Sequence, residues 1–318
     1  MNDIQLSIVT PCYDEQDNIE KLYIELTRVM KTMGITYELI WVENGSSDNT
    51  YELMKLHAEN DPAIKIVQLS RNFTYQGGVA AGMAFAQGQY LVCIDADLQD
   101  PPEIIEQMYQ KAISQQFDIV YGIRKQRKES FIQKSSYWLF YRVMRVIADI
   151  EIPLDAGDFA LINRPVLKAL LAMPEKDRFL RGLRAWVGFR STGIEYNRQA
   201  REHGVSKFSI RDQFLIAFQG LFSFSFLPLR FFFYTGLCTC LGLFPLGLVY
   251  LLWRLMVPDA WPAGTATIVL LIIFLFGLTL FGIGLIGEYL AIIFVEVKKR
   301  PTFIVKTVIK HDEITHKS

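Results

Sequence analysis

The fold is decided by the stretch YLVCIDADLQDPP, residues 90–102, in which an apolar run ends in acidic side chains. The two prolines at its end cannot continue a strand ladder, but they can open a helix. Residues i and i+2 of an extended chain share a face, so Asp95 and Asp97 direct two carboxylates to one point. The pattern predicts a β-strand that ends in acid, followed by a helix.

Two interpretations of these carboxylates are open at this point. A hard cation such as Mg2+ takes one or two protein carboxylates and keeps its other positions for water and phosphate oxygens. Under that interpretation Asp95 and Asp97 are metal ligands, and Gln99 offers a third oxygen. Under the other, the stretch is an ordinary acidic turn in which Asp100 caps the next helix. The flanking sequence has to decide between them.

Composition excludes several classes of function. The 318 residues include 33 basic and 33 acidic side chains, so no net charge attracts a nucleic acid. The amino terminus enters a strand-like run with no basic region and apolar stretch before it, which predicts no signal peptide and a cytosolic first part. Neither a disulfide framework nor a zinc site is expected from the four cysteines, which lack metal-ligand spacing: Cys12, Cys93, Cys238 and Cys240.

Strand-like and helix-like segments alternate through the first 121 residues. The strand-like segments are β-rich or apolar and cover residues 6–10, 37–42, 64–69, 90–94 and 118–121. Between them, helical patterns cover residues 18–33, 50–58, 78–87 and 102–114. This alternation predicts an α/β domain with a mostly parallel sheet and helices on both faces.

Polar clusters follow three of the predicted strands. They are residues 11–15 (PCYDE), residues 43–48 (ENGSSD) and residues 95–97 (DAD). Each one alone could be an ordinary turn. Ligands of open α/β sheets bind beyond the carboxyl ends of the strands, so three clusters at one edge predict a binding site.

With these motifs in order, the chain resembles the family 2 glycosyltransferases of the Rossmann-like GT-A fold. It is most similar to the branch of polyprenyl-phosphate glycosyltransferases that includes dolichyl-phosphate mannose synthase and the bactoprenol glucosyltransferases. The resemblance covers nearly the whole chain. It implies that a nucleotide is held by Pro11, Tyr13, Glu15, Asn44, Ser46, Asp95 and Ala96.

The resemblance also assigns roles to the other motifs. It implies that Mg2+ or Mn2+ is held by Asp95, Asp97 and Gln99, and that Asp158 of the GDF triplet is the catalytic residue near the reacting carbon. Two positions depart from the family. Asn44 stands where an Asp usually accepts a hydrogen bond from the base, and Ala160 stands where an Arg is common. An amide can donate as well as accept, which leaves the base preference open.

Basic residues near the same edge are candidates for binding phosphate. Arg124 directly follows the fifth predicted strand. Residues 201–207 resemble the family's R-x-x-G-x-S-K loop, in which glycine permits close backbone approach and cations meet phosphate. We therefore predict phosphate contacts for Arg124, Arg201 and Lys207, with a solvated loop and an exposed turn as the alternatives.

The last third of the chain is apolar. Residues 231–253 and 264–287 carry no charge, and each is long enough to cross a hydrocarbon core of about 30 Å. We predict a cytosolic domain over 1–208, an interfacial amphipathic helix over 209–229, a two-helix transmembrane hairpin within 230–290 and a cytosolic tail over 291–318. Basic residues flank the hairpin, which places both termini in the cytoplasm at the plasma (inner) membrane.

A nucleotide-sugar enzyme that is fixed in a lipid bilayer suggests a lipid acceptor. The expected reaction is inverting transfer of a sugar from a nucleoside diphosphate sugar to undecaprenyl (polyprenyl) phosphate, for cell-wall or lipopolysaccharide glycans. Inversion and a homo-oligomeric state are implied by the resemblance alone. The alternatives are a processive polysaccharide synthase and a membrane-anchored scaffold that binds nucleotide sugars without turnover. The sequence does not name the sugar.

Overall fold

The computed structural model describes residues 4–124, 156–175, 178–198 and 265–311, together with helical residues at isolated positions between 232 and 256. The chain divides into two compact units. The first, the α/β unit, contains Met1–Arg145, Ile150–Leu215 and Arg300–Ser318. The second, the apolar unit, contains Val146–Asp149 and Ile216–Lys299.

Strands and helices alternate along the α/β unit. The strands are β1 (Leu6–Cys12), β2 (Tyr37–Glu43), β3 (Ile64–Leu69), β4 (Tyr90–Cys93), β5 (Ile119–Arg124), β6 (Ala156–Asn163), β7 (Ser191–Tyr196) and β8 (Val305–Lys310). The helices are α1 (Gln16–Met33), α2 (Thr50–Asn60), α3 (Thr74–Phe85), α4 (Ile104–Gln115), α5 (Arg164–Ala172) and α6 (Leu180–Trp186). Every strand and helix predicted in the first 121 residues is present, with ends shifted by a few residues.

All eight strands form one sheet in the order β7-β5-β6-β4-β1-β2-β3-β8. The pairs β1 with β2, β1 with β4, β2 with β3 and β5 with β7 are parallel. Strand β6 is antiparallel to both β4 and β5, and β8 is antiparallel to β3. The prediction of a mostly parallel α/β sheet is confirmed.

Successive side chains of the buried strands point to opposite faces, and each face has its own helices. One face forms the main core with α1, α2 and α4, for example through Ile8 and Trp41. On the other face α3 lies so close that a side chain on Gly82 would collide with Val9 and Val42. Helices α5 and α6 add Leu170 and Leu180 to that face. Helices therefore cover both faces of the sheet, as predicted.

The sequence analysis did not predict β8, because it described residues 291–318 only as a tail. Strand β8 pairs with β3, and the Ser70 N–H donates to the Ile304 carbonyl oxygen at 2.9 Å. The added strand covers the backbone groups that β3 would otherwise expose at the edge of the sheet. The α/β unit is therefore completed by residues that follow the apolar unit in the chain.

The apolar unit contains α7 (Thr265–Val297). The second predicted span, over 264–287, overlaps this helix, which continues ten residues beyond position 287. By length and composition, Leu275–Val297 of α7 could cross a membrane. The Phe232 ring, from a helical residue, lies 6.0 Å from that of Phe281. The interfacial helix predicted over 209–229 lies outside the described residues, as does most of the first span.

A buried ion pair joins β2 and β3 at the end of the sheet where the parallel strands β1, β2 and β4 begin. Lys65 Nζ lies 2.6 Å from Glu38 Oε2, and both side chains are less than 10% exposed. The second Glu38 oxygen accepts from the Ser7 hydroxyl and from the Gln87 N–H, each at 2.6 Å. Lys65 also donates to the Phe85 carbonyl oxygen at 3.1 Å. This network ties the end of α3 to the sheet.

We expect Lys65→Met to lower the free energy of unfolding by about 3–5 kcal/mol, because it leaves the Glu38 carboxylate buried without its cation. The double variant Glu38→Gln/Lys65→Met should recover part of that loss. Lys55→Met, which removes an exposed ion pair with Glu52, is the matched control and should change stability little. Denaturant unfolding of the purified chain in detergent measures all three. Equal losses for Lys65→Met and Lys55→Met would contradict the assigned role.

Candidate functional site

The loops after β1 and β2 are joined by hydrogen bonds into one surface. The Asp14 N–H donates to Ser46 Oγ at 3.1 Å, and the Ser47 N–H donates to Asp14 Oδ1 at 2.7 Å. The Glu15 N–H donates to Thr50 Oγ1 at 2.8 Å. Asp14 has a φ of +51°, so the backbone turns sharply at this point. The structure thus brings together the two loops to which the family resemblance assigned nucleotide binding, including Pro11 and Tyr13.

Asn44 connects this surface to the start of α3. It is 3% exposed, and its Oδ1 accepts from the Phe73 N–H at 2.9 Å while its Nδ2 donates to the Thr74 carbonyl oxygen at 2.8 Å. A carboxylate could accept the first hydrogen bond but could not donate the second. The departure from the family's Asp therefore has a structural reason in this chain.

The next residue, Gly45, lets the loop approach the chain before α3. Its φ is +77°, and a Cβ at this position would lie 2.5 Å from the Asn72 backbone nitrogen. Only glycine fits both the backbone conformation and the space. The β2 loop and the start of α3 are therefore held together at two adjacent residues.

Asp95 is the most perturbed carboxylate at this edge of the sheet. Its Oδ1 accepts from the Tyr75 hydroxyl at 2.7 Å. Burial raises the pKa of Asp95 to about 7, with further contributions from the negative charges of Asp100, Asp97 and Asp158, while the hydrogen bond from Tyr75 acts in the opposite direction. Several carboxylates therefore converge near Asp95, and its ionised form is costly without a nearby cation.

Asp97 and Gln99 occupy the turn that follows. Asp97 is 7% exposed, and its Oδ1 accepts from the Gln99 N–H at 3.2 Å. The part of the chain that the structure describes contains no group of three or more His, Cys, Asp or Glu side chains placed to hold a metal. Asp95 and Asp97 nevertheless fit a hard cation that takes its remaining oxygen ligands from a bound phosphate. The raised pKa of Asp95 agrees with this, because a cation would stabilise its ionised form. Asp95, Asp97 and Gln99 are the residues that would hold it.

Asp158 is held by arginine rather than poised to take up a proton. Arg181 donates from Nε to Oδ1 at 3.1 Å and from Nη2 to Oδ2 at 2.8 Å. Burial alone would raise the pKa of Asp158, but the positive charges of Arg181, Arg184 and Arg124 hold it below its usual range. A carboxylate of lowered pKa is a weak general base at neutral pH. Asp158, the predicted catalytic residue, is therefore a fixed anion. We call the part of the sheet edge that carries Asp95, Asp97 and Asp158 the acidic edge.

Arg124, a predicted phosphate ligand, faces the protein interior. Its Nε donates to the Tyr196 hydroxyl at 3.3 Å, and its Nη2 lies 3.7 Å from Asp100 Oδ2. Asp100 accepts from the Tyr196 hydroxyl and lies 3.7 Å from Arg198 Nε. Asp100 thus binds side chains of β5 and β7. It does not cap the next helix, as one interpretation of the sequence had it, because α4 begins after Glu103. The other two predicted phosphate ligands, Arg201 and Lys207, lie outside the described residues.

Four side chains at the site were missed by sequence reasoning: Tyr75, Arg181, Arg184 and Tyr196. The arginines stand at spacing i, i+3 in a helical pattern, which is a detectable signal for one basic face. The two tyrosines carry no local signal, since each acts through a residue more than 19 positions away.

We expect Asn44→Asp to lower the free energy of unfolding by about 1–3 kcal/mol, because the Thr74 carbonyl oxygen loses its donor and faces a carboxylate instead. The matched control is Asn72→Asp, in the loop between β3 and α3 that Asn44 contacts. Asn72 Oδ1 only accepts, from the Thr74 N–H at 2.8 Å, and an aspartate can do the same. Thermal unfolding of both variants distinguishes them. A stable Asn44→Asp protein would show that the amide donor is dispensable.

We expect Asp95→Asn to stabilise the metal-free protein at pH 7 by on the order of 1–3 kcal/mol, since a pKa raised in the folded state means that ionisation opposes folding. In the wild type this destabilisation is absent near pH 4, where the group is protonated in the folded state, and grows as the pH rises to 7. Unfolding measured in EDTA across this range tests the sign. Asp17→Asn, an exposed control, should not reproduce the gain.

Known sequences resemble this chain along nearly all its length. The uncharacterized glycosyltransferase YkcC of Bacillus subtilis is 38% identical over 304 residues, which cover 95% of this chain and 94% of the relative. The bactoprenol glucosyl transferase of Shigella phage SfV is 31% identical over 310 residues, 95% of this chain and 98% of the relative. A prophage bactoprenol glucosyl transferase homolog of Escherichia coli is 31% identical, with 96% and 100% covered.

Solved structures are more distant. Glucosyl-3-phosphoglycerate synthase of Mycobacterium tuberculosis, in complex with uridine diphosphate, has a TM-score of 0.46 at 16% identity, over 69% of this chain and 78% of that one.

Residues 7–171, just over half of the chain, match the family model described as glycosyl transferase family 2. The predictions of a GT-A glycosyltransferase fold and of a transferase activity are confirmed. The chain belongs to glycosyl transferase family 2 and is a glycosyltransferase.

Proposed function

We propose that this glycosyltransferase transfers one sugar from a nucleoside diphosphate sugar to a polyprenyl phosphate, such as undecaprenyl phosphate, at the cytoplasmic face of the membrane. An oxygen of the acceptor phosphate attacks the anomeric carbon. The bond from that carbon to the diphosphate breaks, and the nucleoside diphosphate leaves with the electron pair. A single in-line displacement of this kind inverts the anomeric configuration.

The observation that carries this proposal is the acidic edge built from Asp95, Asp97 and Asp158 beside the joined loops of β1 and β2. Loops at the carboxyl ends of parallel strands are where α/β proteins bind nucleotides. Pro11, Tyr13, Glu15, Ser46 and Ala96 border the nucleotide in this assignment. Asn44 supports their loop from behind, because both ends of its amide bind backbone.

A divalent cation completes the donor site in this proposal. Mg2+ or Mn2+ on Asp95, Asp97 and Gln99 would offset the negative charge that develops on the departing diphosphate. The chain's own contribution is to hold these oxygens in place. The Tyr75 hydroxyl orients Asp95, and the Gln99 N–H orients Asp97.

The lipid acceptor is inferred from the apolar unit and the relatives. Leu275–Val297 of helix α7 is long and apolar enough to cross a membrane. The Phe232 ring packs against α7 at Gly282 as well as beside Phe281, which supports a second helix and the predicted hairpin. Several relatives are named bactoprenol glucosyl transferases and match along nearly their full length. The acceptor phosphate is largely dianionic near neutral pH, because the second pKa of a phosphomonoester is about 6, so little general-base help is required.

We expect Asp97→Ala to lower sugar transfer by about 10²–10³-fold, as removal of one electrostatic stabiliser does in other enzymes. Membranes that contain the protein are incubated with Mn2+, undecaprenyl phosphate and radiolabelled UDP-glucose, UDP-N-acetylglucosamine or GDP-mannose, and lipid-extractable label is counted. Asp17→Ala, an exposed acidic residue, is the control and should transfer at the wild-type rate.

The same assay separates the alternatives. One sugar per lipid from a single donor supports the proposal and names the sugar. A polymer would support a processive synthase. Binding of nucleotide with no transfer from any donor, in the wild type as in Asp97→Ala, would support a non-catalytic scaffold. Transfer that is unchanged in Asp97→Ala would contradict the assignment of the metal ligands.

A further inference from the structure

We propose that Arg181 and Arg184 are positioning residues for sugar transfer: Arg181 fixes the carboxylate of Asp158, and Arg184 fixes the backbone that carries it. The inference rests on the proposed function, in which Asp158 lies near the reacting groups. Both arginines act through Asp158, so their substitution affects the transfer step through its position and charge.

The contact of Arg181 with Asp158 fixes the direction of the carboxylate. Two nearly parallel hydrogen bonds, of 3.1 and 2.8 Å, join the two groups edge to edge. The side chains are 31% and 14% exposed, so water competes only in part. A paired geometry of this kind restricts rotation of the carboxylate, whereas a single hydrogen bond would allow it. Lysine would supply the charge without the fork.

Arg184 holds the backbone at an irregular point of β6. The register between β5 and β6 shifts between Tyr121 and Ile123, opposite the segment that contains Gly157 and Asp158. Residues at such a bulge lose ladder partners, and the side chain there is aimed differently. Arg184 donates from Nη2 to the Gly157 carbonyl oxygen at 2.6 Å and from Nη1 to the Asp158 carbonyl oxygen at 3.3 Å. It therefore supports the bulge that presents Asp158.

Helix α6 presents both arginines while its apolar side fixes it in place. Leu180 and Leu183 are 5% and 3% exposed and pack into the α/β unit. Arg181 directly follows Leu180, and Arg184 directly follows Leu183. Both arginines contact β6. Because the leucines anchor the helix independently of the arginines, we expect substitution of an arginine to leave this packing intact.

Arg181 and Arg184, which we call the arginine clamp, have a second role because of the charges around Asp158. Asp158 is surrounded by charged and titratable groups of every neighbouring element: Cys93 and Asp95 from the β4 segment, Tyr75 from α3, Arg124 from β5, and Arg181 and Arg184 from α6. A dianionic acceptor phosphate is repelled by an uncompensated carboxylate beside the reacting carbon. Arg181 offsets that repulsion while it keeps the carboxylate oxygens in a fixed plane.

The test compares Arg181→Gln, Arg181→Lys, Arg184→Gln, Asp158→Asn and the double variant Asp158→Asn/Arg181→Gln in the lipid-transfer assay. We expect Arg181→Gln and Arg184→Gln to lower kcat by about 10²-fold, since displacement of an active-site group such as Asp158 by about 1 Å has an effect of that size. Nucleotide affinity, measured by titration with the free nucleoside diphosphate, should stay within about threefold of the wild type. Arg181→Lys should recover part of kcat.

The double variant shows whether the two residues act as a unit. If Arg181 acts through Asp158, Asp158→Asn/Arg181→Gln is no slower than the slower of the two single variants. Arg190→Gln is the matched control, because this exposed arginine stacks on Phe117 away from Asp158 and its loss should leave kcat unchanged. Thermal unfolding identifies any variant that fails to fold, and the Lys variant then decides for Arg181.

Three results would overturn the inference. The first is a kcat of Arg181→Gln within threefold of the wild type. The second is a double variant whose loss is the product of the single losses. The third is a wild-type protein that binds nucleotide but transfers no sugar to lipid; that result removes the proposed function too. The first two results do not affect the proposed function. A failure of the arginine clamp can therefore be distinguished from a failure of the proposed function.

Discussion

The site depends on one constraint: β1, β2 and β4 run parallel, so the loops that follow them meet at one edge of the sheet. Acidic residues distant in sequence are therefore held near one another in partly dehydrated surroundings. The burial of Asp95 and the charges of Asp100, Asp97 and Asp158 together raise the pKa of Asp95 to about 7. Neighbouring side chains have to compensate this accumulation of negative charge for the edge to persist.

The compensation differs from one carboxylate to the next. Asp158 is paired with Arg181, and Asp100 lies between Arg124 and Arg198. Asp95 instead accepts from a neutral tyrosine hydroxyl. Arginine stays protonated, so it turns its partner into a permanent local anion, whereas a hydroxyl leaves the charge of its partner uncompensated. The edge thus has carboxylates whose charge is compensated by arginines of the protein, and a carboxylate, Asp95, whose charge is not compensated in this way.

The sequence was sufficient for the α/β class because strand and helix periodicities are local. The spacing of Asp95 and Asp97 and the polar clusters after β1 and β2 were visible for the same reason. Contacts between distant residues were not visible. Strand β8 pairs with β3 across more than 200 residues. Asn44 was interpreted as a contact to the nucleotide base, because its partners at positions 73 and 74 could not be predicted from the sequence of its own loop. Arg124 likewise lies at the carboxyl end of β5, near the expected edge, but Asp100 and Tyr196 determine where it points.

Strand β8 makes the α/β unit depend on residues that follow the apolar unit in the chain. The chain leaves the α/β unit after β7 and returns as β8, and on its return Thr302 lies against Gly77 of α3 while Ile304 accepts from the Ser70 N–H. The start of α3 also carries Tyr75, which orients Asp95. A fragment that ends before the apolar unit would lack β8 and leave the β3 edge uncovered. The apolar segment is therefore an insertion within the sequence of the α/β unit, and the geometry of the acidic edge is supported in part by residues that follow that segment.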